Sequence, residues 1–489
     1  MSQPEPNDPE SPDSTKTAYE LPDEERPATA APTEGELEQE APAIKALDYS
    51  PAPEGHDPYA ALRIPNYRYY MTSYSVAVIG GQVQIAAIDW ELYQRTNSAL
   101  VLGLLGLVQF LPIALLSLPA GQAADLFDRR KILLVTQLML AVWGACMAVN
   151  SYFLGGEGHS TEFAGVALGI LFLNSVTLAF ARPSRAAILP HIVPQKLFSN
   201  AVTWNSSTFE VASMVGPMIG GFVIHLGGPA AYLLNAVLLL VCFALTLPLP
   251  SVRAANKQAP SLASLIAGVK FVFSTQLLLS TMTLDLFAVL LGGATYLMPI
   301  FARDILQVGS IGYGCMRAAP AVGAFTMAMV TAHMPPMKHA GRNLLLAVAA
   351  FGAATVVFGL SRDYWLSLAM LVLIGAFDNI SVVVRHTLVQ LLTPDEMRGR
   401  VSAVNQVFIG SSNELGGMES GLTADAFARV ARSSGYSAAQ ASVLGPTVSV
   451  VLGGVGTLLV VAAIAVKWPI LRRLGTLQEA QAVAAGKQA

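Results

Sequence analysis

The chain predicts an all-α membrane protein: twelve transmembrane helices in two six-helix pseudo-symmetric halves, preceded by a disordered N-terminal tail. Three observations predict it. Of 489 residues 53% are hydrophobic and only 12% are charged, with a mean hydropathy of +0.53, whereas soluble domains carry about 25% charged residues. From Tyr69 onward, apolar runs succeed one another at roughly the 20-residue length that a helix needs to cross a hydrocarbon core. Short motifs also recur at corresponding places in the two halves, as in a duplicated unit with parallel repeats.

The tail comes first. Residues 1–57 hold 15 Asp/Glu against 3 Lys/Arg, with many Pro, Ser, Thr and Ala, and such a segment buries too little apolar surface to order itself. We read 1–60 as a disordered acidic cytoplasmic tail. It has neither the apolar core nor the charged start of a signal peptide, so the first span is expected to direct insertion. The first half, 61–248, contains spans at 69–93, 98–120, 132–154, 163–181, 202–226 and 230–248. A cytoplasmic linker at 249–276 follows, in which Leu262, Leu265, Ile266, Val269 and Phe273 share one face of a 3.6-residue period while Gln258 and Lys270 fall off it. An amphipathic helix lying along the inner membrane surface fits that pattern, and so does a short helix packed on the bundle. The second half, 277–467, contains spans at 277–301, 311–332, 344–360, 365–384, 402–424 and 444–466, and 468–489 form a cytoplasmic C-terminal tail.

Charge sets the orientation. The whole chain has a net charge of −3 and the tail contributes 3 − 15 = −12, so the remainder carries +9 from 26 Lys/Arg and 17 Asp/Glu. With the N-terminus in the cytoplasm, 20 of those 26 basic residues lie on the inner side, Arg182, Arg185 and Arg385 among them. Arg95, Arg303, Arg362, Arg429 and Arg432 then fall outside and Arg317 within a span. The positive-inside rule therefore places both termini in the cytoplasm.

The repeats are specific. Asn205 follows Pro194, and Asn405 follows Pro394, at the same distance, and both lead from an inner loop into a span. Gly106, Gln109 and Pro112 of the second span match Gly314, Arg317 and Pro320 of the eighth.

Two motifs carry the functional reading. The loop GQAADLFDRRK at 121–131 joins the second and third spans. In it Gly121 permits close helix contact, Asp125 can cap and charge-pair at the start of the next helix, and Arg129, Arg130 and Lys131 stay at the anionic inner surface. The fifth span contains VGPMIGG at 215–221, where Pro217 removes an amide donor and Gly216, Gly220 and Gly221 allow close approach, predicting a bent, tightly packed helix.

The loop resembles the signature between the second and third spans of the major facilitator superfamily, with Leu126 where a basic residue is usual and Asp128 where a glycine is usual. The matching loop of the second half, 335–342, keeps basic residues but lacks the acid. The 215–221 segment resembles the glycine-proline motif of the superfamily's exporters. The stretches 285–293, 299–304, 316–324, 398–405 and 413–421 look like the branch that includes enterobactin exporters, with Gly417 and Met418 standing where that pattern has Glu and Phe. The resemblance covers about residues 60–475. It implies a secondary exporter of the bacterial cytoplasmic membrane, driven by protons, whose cargo is a siderophore-like molecule or, as the alternative, a drug or macrolide.

Ionisable residues inside spans are costly and are functional candidates by default. Helical rise places Asp285 and Glu414 near the midplane, Glu419 further out, Glu210 and Asp378 in the inner half, and Arg317 in the outer half. An acid near Arg317 could switch with its partner's position, or the two could form a static pair that fixes helix register. Glu414 is the first candidate for proton coupling and Asp285 the second. Asp89 and Glu91, near the outer end of the first span, read as a solvated rim.

Cys146, Cys242 and Cys315 stand alone, the seven His lack ligand spacing, and no phosphate-binding glycine loop occurs. The expectation is therefore a transporter rather than an enzyme, with no metal and no cofactor. Its partners would be a small-molecule substrate, protons and membrane lipid, not nucleic acid. A transport-inactive scaffold or sensor, whose acidic tail recruits an unidentified partner, is the alternative class.

Overall fold

The computed structural model describes residues 57–476 except 157, 253–261, 336 and 395–396. Residues 1–56 of the segment expected to be a disordered tail, the start of the linker and the end of the C-terminal tail lie outside the described residues. The expected tail ends earlier than residue 60, because Pro58 accepts hydrogen bonds on its carbonyl from Asn200 Nδ2 and Trp204 Nε1, both at 2.8 Å, and Tyr59 lies against the Trp204 ring.

Twelve long helical segments follow one another: α1 (Pro65–Thr96), α2 (Ala99–Leu126), α3 (Arg129–Phe153), α4 (Ser160–Ile192), α5 (Phe198–Leu226), α6 (Gly228–Thr246), α7 (starting as Gln276–Leu291), α8 (Gly309–His333), α9 (Ala340–Leu360), α10 (Tyr364–Leu392), α11 (Arg398–Ser433) and α12 (Ala438–Lys467). Local chemistry sets many of their ends. Pro65 opens α1 at a position where no amide donor is needed, and Asn97 closes it in the left-handed region at φ 49°. Ser437 and Gln440 form a reciprocal capping box at the start of α12.

Eleven segments among the described residues are long and apolar enough to cross a membrane by length and composition. The twelfth, α11, is 36 residues long but too polar to qualify, because Asn405, Asn413, Glu414 and Glu419 interrupt its apolar run. A helix of that composition belongs against protein rather than lipid.

The packing repeats after six helices. In the first half α1 lies on α5 and α6, α3 on α4 and α6, and α2 on α4; in the second, α7 lies on α11 and α12, α9 on α10 and α12, and α8 on α10. The halves meet along two seams, α2 with α11 and α5 with α8, which exchange under the same shift. The short repeats noted in the sequence sit at these seams: Gly106 of α2 abuts the Glu414 backbone of α11, and Gly314 of α8 abuts Pro217 and Gly221 of α5.

Span seven departs from the expected single helix. It breaks at Gly292 and Gly293, then continues through short turns at Ala294–Leu297, Met298–Ile300 and Phe301–Ile305. A Cβ on Gly292 would meet the Phe351 ring at 2.6 Å, and one on Gly293 the Gly416 carbonyl oxygen at 2.9 Å, so this segment presses its backbone against its neighbours.

The linker helix, Leu262–Ser274, has two faces. Gly268 touches the Arg400 backbone at the start of α11 and Val272 is fully buried, while Ile266 (60%) and Phe273 (58%) stay exposed. It packs on the bundle and leaves an apolar face uncovered.

The apolar cores show which way the molecule is closed. At the end opposite the 121–131 loop, one core joins both halves, bringing Val83, Trp90 and Tyr93 of α1 together with Met298, Phe301 and Tyr313 of the second half. At the loop end the cores separate, one within the second half around Leu278, Leu344 and Leu388, the other within the first around Tyr67, Leu133 and Ile188.

Candidate functional site

Between the shared core and the loop end lies a cavity of about 610 Å³ walled by the first half, within the range of small-molecule sites. It runs from Tyr70, Arg185 and Asn205 near the loop end to Ile88 and Asp89 at its floor. Its lining mixes apolar side chains such as Ile85, Leu178 and Phe209 with amides from Gln84, Gln137, Asn174, Asn205 and Asn235. On each of those five amides one side-chain nitrogen or oxygen is buried without a hydrogen-bond partner within the protein.

Asp89 is not on a solvated rim, as the sequence reading had it. It is 7% exposed, and its Oδ2 lies 2.7 Å from Nη1 of Arg317 and accepts a hydrogen bond from the Tyr313 hydroxyl at 3.3 Å. Because α1 continues to Thr96, Asp89 sits well inside the helix and meets the second half. Glu91 is corrected in the same way: it is 3% exposed and saturated by Ser151 Oγ at 2.6 Å, Tyr232 Oη at 2.8 Å and Arg95 Nε at 2.8 Å. It ties α1 to α3 and α6 within the first half.

The floor of the cavity is thus a junction between halves. Around the Asp89/Arg317 pair, Trp90 lies against Tyr313 with ring centroids 5.4 Å apart, Tyr93 donates to Asp304, and Arg303 donates to Asn97 Oδ1 at 2.7 Å. The backbones close the same level: a Cβ on Gly221 would stand 2.6 Å from the Ser310 carbonyl oxygen and 2.8 Å from the Gly314 Cα. Gly216 and Gly220 instead face Gln82, Val83 and Ala86 of α1. The 215–221 motif therefore wedges a continuous α5 between α1 and α8.

Glu414 lies on the other seam. Tyr296, presented by the break in span seven, donates to its Oε2 at 2.8 Å, and Gly106 packs on its backbone. Arg182, on the cavity wall, interacts with it electrostatically. Asp285 stands apart from both: it is 5% exposed within the second half and ion-paired to Arg385 of α10, itself 3% exposed. Arg385 had been counted among the inner basic residues, but α10 extends to Leu392 and buries it. Arg182 and Arg185 likewise lie on α4, which extends to Ile192, and line the cavity. Without these three, the sequence assigns 17 of the 22 loop and terminal basic residues to the inner side. Asp378 borders a small void with Asp285, while Glu210 and Glu419 are half-buried on α5 and α11 with no ion-pair partner among the described residues. Of the sequence candidates, Glu414 and Arg317 interact electrostatically with each other and with Asp89, whereas Asp285 and Asp378 lie apart within the second half.

In the loop, Asp125 keeps the charge pair expected of it, but the cap falls to Asp128. Asp128 is the N-cap of α3, accepting from the Arg130 amide at 3.0 Å and from Ser251 Oγ at 2.6 Å. Burial alone would push its carboxyl up, but hydrogen bonds from Ser251 and the amides of Arg130, Lys131 and Val252 outweigh burial and hold it below the usual carboxylate range. Asp125 lies 3.5 Å from Arg129, whose guanidinium also donates to the carbonyls of Ala124 and Ala187, both at 3.0 Å. Arg129 is 7% exposed, so it belongs to the bundle rather than to the membrane surface, and it clamps α2 and α3 to α4. Arg130 reaches the Leu247 carbonyl at the end of α6, and Gly121 lies half-buried in the last two turns of α2. The second half repeats the device with a different partner: the amides of Ala340 and Gly341 donate to the carbonyls of Gly475 and Leu474, as Arg129 donates to Val252.

Comparison with known proteins agrees with this architecture. Residues 56–463 match the family described as transmembrane secretion effector. The multidrug efflux pump Tap of Mycolicibacterium fortuitum is 24% identical over 71% of this chain and 86% of its own length. The staphyloferrin A transporter of Staphylococcus aureus is 21% identical over 74% and 90% of the two chains, and the enterobactin exporter EntS of Shigella boydii serotype 4 is 22% identical over 70% and 80%. Among solved structures, a bacterial homolog of the human lysosomal transporter Spinster, in an inward-facing and occupied conformation, superposes with a TM-score of 0.65 at 16% identity over 86% of this chain and 99% of that one. A D-xylose–proton symporter superposes with a TM-score of 0.59 at 12% identity over 82% and 96%. At such identities the superpositions speak for the fold alone. Twelve helices in two exchanging halves, the loop network and the family match over most of its length together place this chain in the transmembrane secretion effector family of the major facilitator superfamily, as an efflux transporter and not an enzyme.

Proposed function

We propose that the protein exports a small amphipathic, siderophore-like molecule across the bacterial cytoplasmic membrane by alternating access, against proton entry. The loop end and both termini face the cytoplasm in this reading, which the basic residues of the loops support. One observation carries it: the cavity reaches from the loop end to Asp89 and stops where both halves share one core, the arrangement of a carrier loaded from that side. Export then requires the far-end contacts to part and the separated cores to meet.

Glu414 is the proposed coupling carboxylate. It sits where the halves must move against each other, is held by a single tyrosine hydroxyl, and senses Arg182. Asp285 is the weaker candidate, because its partner Arg385 belongs to the same half and would travel with it. Moving one charge through 100 mV releases about 2.3 kcal/mol, and a tenfold gradient costs about 1.4 kcal/mol, so one proton supports a substrate gradient between about ten- and a hundredfold.

In proteoliposomes, Glu414→Gln should keep substrate exchange and lose uphill, proton-driven export. Uphill export with an unchanged pH dependence in that variant would overturn the assignment. Multidrug efflux is the second reading, favoured by the match to Tap and by the apolar share of the cavity wall.

A further inference from the structure

We propose that the cavity is an organic-anion site, in which Arg182 and Arg185 of α4 hold the acidic group of the cargo. This deepens the export reading and rests on it for the direction of transport, but not for binding.

The other arginines set among the helices are paired. Arg317 has Asp89, Arg385 has Asp285, Arg129 has Asp125 and Arg95 has Glu91. Each cation placed at a cost within the bundle is matched by an acid. Arg182 and Arg185 break the pattern. They lie three residues apart on one face of α4, and both line the cavity. Among the described residues no carboxylate comes within 4.0 Å of either. Arg182 is exposed to the cavity although protein surrounds it, and the carboxylate it senses, Glu414, is engaged by Tyr296.

The surroundings specify the rest of the ligand. The Arg185 guanidinium lies over the Tyr74 ring at 5.3 Å, and its backbone carbonyl accepts from the Tyr70 hydroxyl at 3.3 Å, so it is held in position rather than neutralised. Two turns before Arg182 on α4, Asn174 adds a side-chain amide to the same lining, and Asn205 adds another from α5. Ile85, Leu178 and Phe209 supply apolar wall between them. Planar forks suit carboxylates, sulfonates or phenolates, and amide oxygens suit hydroxyl or N–H donors. The fitting ligand is an aromatic or amphipathic anion with hydrogen-bond donors. A lipophilic cation finds no free acid in the lining, because Asp89 is already bound to Arg317.

Fluorescein and rhodamine 6G test this, since they share a ring system and carry opposite charge. Binding to the purified full chain in nanodiscs is read by fluorescence anisotropy, and export separately in energised proteoliposomes. Wild type should bind fluorescein at least tenfold more tightly than rhodamine 6G, and Arg182→Gln/Arg185→Gln should erase that preference while Arg182→Lys/Arg185→Lys keeps most of it. If the double glutamine variant does not fold, Arg182→Gln alone should weaken fluorescein binding at least threefold with rhodamine 6G unchanged. Preference for the cation in wild type, or fluorescein affinity indifferent to both sets of substitutions, overturns the proposal. Export of rhodamine 6G without fluorescein binding would remove the anion site and leave the exporter, whereas arginine-dependent binding without uphill export of any probe would do the reverse.

Discussion

Asp89 and Arg317 belong to different halves, so their interaction acts only while the far end is closed. Replacing Asp89 by Asn leaves the Arg317 guanidinium without a counter-charge at a place 2.7 Å from where one stood. Breaking a buried pair costs about 3–5 kcal/mol. Asp89 borders a water-admitting cavity and the Arg317 side chain is 21% exposed, so the lower figure applies, about 3 kcal/mol. At about 1.4 kcal/mol per decade the closed far end should lose about a hundredfold in population relative to the open one. Pulsed dipolar spectroscopy between spin labels at positions 159 and 434, on opposite halves of that end, reads the shift directly in a background without Cys146, Cys242 and Cys315. Arg317→Gln should act in the same direction. The double variant Asp89→Asn/Arg317→Gln should return most of the way, since no lone charge remains. Distance distributions unmoved by either single change, or effects that simply add in the double variant, would refute the latch.

Asp285→Asn should lower the thermal stability of the purified protein by about 3–5 kcal/mol, because Arg385 is left buried within one half, yet leave the spin-label distances of folded molecules unchanged. Gly221→Val should favour the open far end by about 1–3 kcal/mol, since its side chain meets backbone of Ser310 and Gly314 that cannot rotate away, and the same labels would detect it. Asp128→Ala should destabilise the folded protein by about 0.5–2 kcal/mol near neutral pH through loss of the α3 cap. The folded-state pKa of Asp128 is depressed, so its contribution is present above the unfolded carboxylate value of about 3.9 and disappears as pH falls through the folded value. Melting curves of wild type and variant should begin to approach each other as pH falls below about 4 and come closest below the folded value.

Sequence alone determined the class, the twelve spans and their repeat, because lipid demands long apolar runs and penalises charge wherever the pattern breaks. It also located the glycine-rich segment at 215–221, since close backbone approach has few other signatures. The run at 402–424 was read as apolar like the others, although α11 as a whole is too polar for a composition test. What hydropathy misjudged was where a helix stops mattering to its neighbours. Asp89, Glu91, Arg182, Arg185 and Arg385 all lie near span ends, and a charge near an end reads as a solvated rim or a loop. Only tertiary structure carried α1 to Thr96, α4 to Ile192 and α10 to Leu392, turning those charges inward.

Partnership was likewise decided by the fold. Arg317 faces Asp89, more than 200 residues away in sequence, rather than Glu414 or Asp285, and no spacing rule encodes which of several embedded acids a helix crossing brings to a given arginine. The same holds for Asp125 and Asp128, three residues apart: which of them caps α3 depends on where that helix begins and on Ser251 arriving from beyond α6. Periodicity and composition are one-dimensional consequences of the solvent, so a sequence displays them. Pairing across the seams depends on how two six-helix bundles lean together, and that geometry exists only once both have folded.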